Sequence, residues 1–178
     1  AACYLTHAPI ECAKEIRLKS NFPPERVKKI LLRIDAGADK VCNILDPTTG
    51  LQAKFSLRQT VAMALNGVDT AALDSYNDAI TQEPRMKALR DKVSIEFKPN
   101  WEHSLAEMAI QLDDGTTIEA SHDSGIPWPD VKKQRLAIET KFESLVSPVL
   151  GAAGTRRLAD AIERIDSLSD VGELARAS

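Results

Sequence analysis

An α+β fold is what this 178-residue sequence predicts, and three features of it lead there. Helix-like periodicity dominates both ends, strand-like segments gather between residues 93 and 120, and Asp114-Gly115 joins two of them as a hairpin signal. The order runs helix, strand, helices, hairpin-bearing sheet, helices. That order favours helices flanking a small, mainly antiparallel sheet over alternating parallel α/β units.

The first helix is expected from Ala8 or Pro9 to about Lys19, with Pro9 in its first turn and Ile10, Ala13 and Ile16 on one face; Pro23 and Pro24 end it. Residues 27–34, rich in branched apolar side chains (Ile30, Leu31, Leu32, Ile34), suit a strand, and Gly37 and Pro47 bracket an irregular connection. Ser56-Leu57-Arg58-Gln59 fits a capping box, in which the serine hydroxyl accepts from one orphan amide and the glutamine reaches back to another. Leu57, Val61, Ala64 and Leu65 then share a helical face, and Gly67 is placed for a left-handed cap. Asp69 or Thr70 is expected to cap a short helix through Tyr76, and Pro84 to open one lasting to about Lys92.

Three strand-like segments follow. Residues 93–97 alternate, Met108, Ile110 and Leu112 share a face, and residues 116–120 resume after Asp114-Gly115, where both turn positions are expected at positive φ. After Pro127-Trp128-Pro129, Val131, Ile138, Phe142, Leu145 and Val146 line a helix ending near Pro148. Leu158, Ala161, Ile162, Ile165 and Leu168 line another, with Thr155 as its expected cap and Ser169 as the cap of a last short one.

Composition bounds the function. With 43% hydrophobic and 28% charged residues the chain is neither disordered nor low in complexity, and at 4% aromatic its core is aliphatic. The net charge of -3 and the dispersed Lys and Arg exclude the basic footprint of a nucleic-acid binder. No apolar run approaches the ~20 residues that span a bilayer. Cys3, Cys12 and Cys42, odd in number and unevenly spaced, fit reduced thiols in a cytoplasmic protein.

His7 leads the candidate residues, because it precedes a helix start where amides and dipole favour an anion, and its imidazole is suited to moving a proton near neutral pH. The alternative is that it satisfies a helix end. Lys54 and Ser56 stand where the chain enters the helix at 57, so an ammonium and free amides can together hold a carboxylate; the alternative is a capping serine and a solvated lysine. Cys3 and His7 are four apart, but no second pair completes a zinc site, and His103 and His122 read as surface residues. No phosphate loop, nucleophile elbow or nucleotide fingerprint is present.

Several motifs, taken together, carry a family resemblance. They are Cys3-Tyr4-Leu5-Thr6-His7-Ala8-Pro9-Ile10-Glu11, Asp46-Pro47-Thr48-Thr49-Gly50 running to Ala53-Lys54-Phe55-Ser56, Ala64 to Gly67, Asp114-Gly115, Lys141-Phe142 and Ser169-Asp170-Val171-Gly172-Glu173-Leu174. In this order and spacing the chain resembles the carboxyl-terminal half of the MmgE/PrpD family. Similar members include 2-methylcitrate dehydratase, cis-aconitate decarboxylase and iminodisuccinate epimerase.

The resemblance implies a cofactor-independent lyase or isomerase of small polycarboxylic acids, without a required metal, that forms a carbanion-like centre beside a carboxylate. It implies a lid-type α+β domain at 1–126 and, at 127–178, helices that normally pack on a helical domain formed by an amino-terminal half. The start at Ala1, inside a motif and without methionine, reads as a piece of a longer polypeptide, inactive alone, whose whole is a homodimer. Lacking the helical domain, the terminal helices are expected to expose an apolar face and self-associate. His7 stands as the catalytic residue, with Cys3, Thr6, Lys54, Ser56 and Gln59 binding substrate. Gln59 departs from the family, which commonly has tyrosine there, and glutamine cannot serve as a phenolic acid. The rival reading is a non-catalytic binding or interaction domain that kept the fold.

Overall fold

A computed structural model describes residues 1–177. They divide into two compact units, Ala1–Pro127 and a second from Trp128 on.

In the first unit, α1 (His7–Ser20) ends where Asn21 turns left-handed at φ 35°. β1 (Val27–Asp35) follows, then the short helices α2 (Ala38–Cys42) and α3 (Gly50–Ala53), α4 (Leu57–Leu65), α5 (Asp78–Thr81) and α6 (Pro84–Arg90). The remaining strands are β2 (Val93–Lys98), β3 (Leu105–Leu112) and β4 (Thr117–Asp123). The sheet order is β2-β1-β3-β4, with β1 parallel to β2 and the other two pairings antiparallel. The mixed α+β architecture with a mainly antiparallel sheet is thus as the sequence predicts.

Alternation fixes the buried face. Ile30 lies opposite Ile110, Leu32 opposite Met108 and Ile34 opposite Ala106, and all six are buried. Against that face α1 packs across β3 and β4 with Ile10, Cys12, Ala13 and Ile16, while α4 packs between α1 and α6. Every residue of α4 except Arg58 is buried, so this helix is the inner wall of the unit. A second cluster of Ala53, Met63, Tyr76 and Met86 sits beside it. Full burial of each such Leu, Ile or Met contributes about 1.5–3 kcal/mol.

Several expectations are corrected. The connection after β1 is not irregular throughout, since it holds α2 and α3, the latter capped by the Thr49 hydroxyl accepting from the Gln52 amide. No helix runs from Asp69 or Thr70 to Tyr76. Asp69 instead closes a local turn onto the Ala71 amide, a 3-10 turn spans Leu73–Ser75, and Asn77 caps α5. At the hairpin only Gly115 takes positive φ, 87°, because the loop closes over three residues from Leu112 to Thr116 instead of two.

The second unit contains α7 (Val131–Glu163) and α8 (Gly172–Ala177), which pack together. α7 is two limbs, broken at Gly151 (φ 67°, ψ 170°), and Arg135 of the first limb pairs with Glu163 of the second. Thr155 does not cap the second limb. It lies one turn inside, its hydroxyl donating to the Gly151 carbonyl at 2.8 Å. The amide of Gly172, which opens α8, donates to Asp170, not to Ser169. Val131, Ile138, Phe142, Ala159 and Ile162 line a largely apolar groove of about 390 Å³ between the limbs. No helix among the described residues is long and apolar enough to cross a membrane.

Candidate active site

The segment that carries His7 is held by its own backbone. Cys3 donates its amide to the Lys54 carbonyl at 3.1 Å, and its carbonyl accepts both the Thr6 amide (2.9 Å) and the Thr6 hydroxyl (2.7 Å). These bonds wind Tyr4–Thr6 into a 3-10 turn that runs straight into α1, and the His7 amide donates to the Tyr4 carbonyl. The His7 ring is thereby fixed at the helix start. Its Nε2 lies 3.3 Å from the Ala2 carbonyl, which suits the tautomer protonated there, and the Tyr4 ring meets it edge-on at 5.6 Å.

Lys54-Phe55-Ser56 is the hub that joins this segment to α4. Its Lys54 carbonyl takes Cys3, its Phe55 carbonyl takes the Ile44 amide at 3.3 Å, and Ser56 bridges to Asn43. The Lys54 ammonium lies 5.6 Å from the centre of the Tyr76 ring. The Tyr76 hydroxyl donates to the Thr70 carbonyl at 3.0 Å, and burial, with Asp69 nearby, pushes the phenol up to about 12. Tyr76 is therefore a neutral platform for the lysine and not an acid at neutral pH.

Ser56 and Gln59 are wholly buried. The Ser56 hydroxyl accepts from the Gln59 amide at 3.2 Å, as the capping box predicts, and donates to the Ile44 carbonyl at 2.6 Å. The Gln59 side chain does not complete the box. Its Oε1 accepts from Arg90 Nη1 at 3.1 Å, and Arg90, itself buried, also donates to the Pro47 carbonyl and to Asp46.

The structure thus brings Cys3, Thr6, His7 and Lys54 into one linked group, with Ser56 the buried N-cap of α4 and Gln59 buried in its first turn. Sequence reasoning missed Arg90 and Asp46. A signal existed: Arg90 falls four residues after Met86 on the inward face of a helix, where an apolar residue is the ordinary choice. It also missed the partner of His103, whose exposed ring meets the buried Asp35 carboxylate at 2.6 Å. Burial opposes the Asp35 charge, but the Gly37 amide and His103 together hold that carboxyl below its ordinary value. His122 is half-buried at the end of β4.

The cysteines differ. Burial pushes both the Cys12 and the Cys42 thiols up to about 12, aided by Glu15 at Cys12 and by the neighbouring Cys3 thiol at Cys42. Among the described residues no three His, Cys, Asp or Glu side chains converge as a metal would require.

The profile of the MmgE/PrpD C-terminal domain matches residues 1–167. The chain belongs to the MmgE/PrpD family. No curated protein matches it. MmgE/PrpD proteins are in general enzymes, and this C-terminal domain carries the histidine turn and the Lys54–Ser56 hub in one unit.

Proposed function

We propose that this domain forms one wall of the active site of a cofactor-independent lyase or isomerase that removes a proton beside a carboxylate of a small polycarboxylic acid. The observation that carries the reading is His7, held at the start of α1 by the Cys3–Thr6 turn, in a chain of the MmgE/PrpD family. The imidazole would accept the proton from carbon, and the Lys54 ammonium would offset the negative charge that develops on the carboxylate. Thr6 and Cys3 set the turn that aims the ring. The same reading places the rest of the catalytic set on a helical domain outside this chain, makes the domain inactive alone, and puts the full protein in the cytoplasm as a homodimer.

The test is proton NMR in D2O on the full-length protein with citrate, methylcitrate, cis-aconitate and aspartate-derived acids. Loss of a carbon-bound proton signal or an unsaturated product, abolished by His7→Ala, is the expected result. Exchange that persists in His7→Ala would overturn the assignment. A second reading is a binding domain without chemistry: the Gln59 carboxamide is engaged with Arg90, and the family resemblance sets this glutamine against a tyrosine. No exchange with any acid, by a protein that still binds them, would select it.

A further inference from the structure

We infer that Arg90 is a receptor for a substrate carboxylate, occupied in this structure by Asp46 as an internal stand-in. The inference rests on the polycarboxylic-acid reading above and adds a residue that the site's motifs do not contain.

The Arg90 side chain is only 5% exposed, and a buried guanidinium is costly unless its donors are satisfied. They are not. Nη1 reaches Gln59 Oε1 at 3.1 Å and the Pro47 carbonyl at 3.4 Å, and Nη2 reaches Asp46 Oδ1, but Nε has no hydrogen-bond partner. The Nε2 of Gln59, one bond from the carbon that carries the bonded Oε1, has none either. Both orphans are donors, so neither can satisfy the other. Flipping the Gln59 amide would only turn its NH2 onto the guanidinium.

A cluster of surplus donors around a cation asks for an acceptor-rich anion, and a carboxylate offers two oxygens with about four lone-pair directions. Asp46 supplies a single oxygen contact, from a side chain that is 70% exposed and rides on the loop between α2 and α3. An ion pair with so exposed a partner is weak and exchangeable. The planar guanidinium suits a carboxylate that engages two of its nitrogens. The receptor also stands in the right neighbourhood. Gln59 lies in the first turn of α4, which Ser56 caps, and the Lys54–Ser56 hub is bonded to Cys3 four residues before His7.

The deciding experiment titrates the 15N-labelled 178-residue chain with tricarballylate, an unreactive tricarboxylate, at constant ionic strength, and follows the Arg90 Nε–H and Gln59 side-chain NH2 signals. Both should shift and saturate together. Asp46→Asn, which removes the internal competitor at an exposed position, should tighten binding about two- to fivefold. Arg90→Lys should weaken it about tenfold or more, because an ammonium keeps the charge but loses the planar pair of donors that engages both carboxylate oxygens. Signals of Arg90 and Gln59 that stay fixed while tricarballylate is added would overturn the inference. So would Asp46→Asn binding no tighter than the parent chain, or a crystal grown with tricarballylate in which an ordered water joins the two orphan nitrogens and Asp46 keeps its place. Because the readout is binding, a full-length protein that exchanges no proton would remove the catalytic reading and leave the receptor standing.

Discussion

Ser56 makes two hydrogen bonds at zero exposure, and Ser56→Ala removes both. Loss of the cap on the Gln59 amide costs about 1 kcal/mol. Loss of the donor to Ile44 leaves a buried carbonyl without its partner, which costs about 1–3 kcal/mol. The expected total is therefore about 2–4 kcal/mol, with no new cavity larger than a hydroxyl. In urea, with a slope of about 2 kcal/mol/M, the midpoint should fall by roughly 1–2 M. A Trp128→Phe background leaves Trp101 as the reporter of the first unit, so the second unit does not enter the signal. A midpoint change below roughly 0.3 M would refute the reasoning, because it would mean that the hydroxyl is not anchoring the 43–44 segment to α4. Such a stable substitution that also abolished turnover in the full-length protein would return Ser56 to the role of substrate ligand.

Three further outcomes follow from the geometry. Cys12 and Cys42 should resist a thiol reagent at pH 8 in the folded chain, leaving Cys3 as the reactive site; all three should label in denaturant, and mass spectrometry of the peptides would read this. Both thiols are raised from 9.0 to about 12, so their contribution to stability is complete below pH 9 and is lost as pH climbs toward 12; alkaline unfolding curves that show no such decline would contradict the burial. Gly50→Ala should cost about 3 kcal/mol, measured by thermal or urea unfolding, because a Cβ there would lie 2.0 Å from the Tyr76 carbonyl oxygen, which is backbone and cannot swing away.

Local signals were readable wherever one residue type has one local use. Ser56 and its amide partner three residues on, the place of the turn at Asp114-Gly115 though not its three-residue form, and the alternation from Met108 to Leu112 are each legible in a few residues. Long-range pairing was not readable. Nothing near Val93 says that it runs parallel to Ile30, since both segments are simply apolar and branched. Short helices such as α2 and α3 escaped because at four or five residues they follow their caps and surroundings more than periodicity. At the candidate site, His7, Thr6 and Cys3 were legible because they share a turn. The Arg90 cluster was not, because Asp46, Gln59 and Arg90 meet only after three separate segments have folded together. Thr155 and Ser169 show the converse error, in which a good capping residue lies near a helix end but a glycine or an aspartate sets the boundary.

The parallel pairing of β1 with β2 has a kinetic consequence. Everything from Ala36 to Lys92 must be looped out before Ile30 meets Val93, and that loop includes α2 to α6 and the whole Lys54–Ser56 hub. Loop closure of this kind precedes any reward from the contacts it makes, so sheet completion should be the slow step of folding, after the local hairpin of β3 and β4. During synthesis β1 emerges long before either of its neighbours, with Ile30, Leu32 and Ile34 uncovered on one face. In that interval the strand is the part of the chain most exposed to pairing with another copy, and Lys28 and Lys29, exposed near its start, are placed as the charges that discourage it.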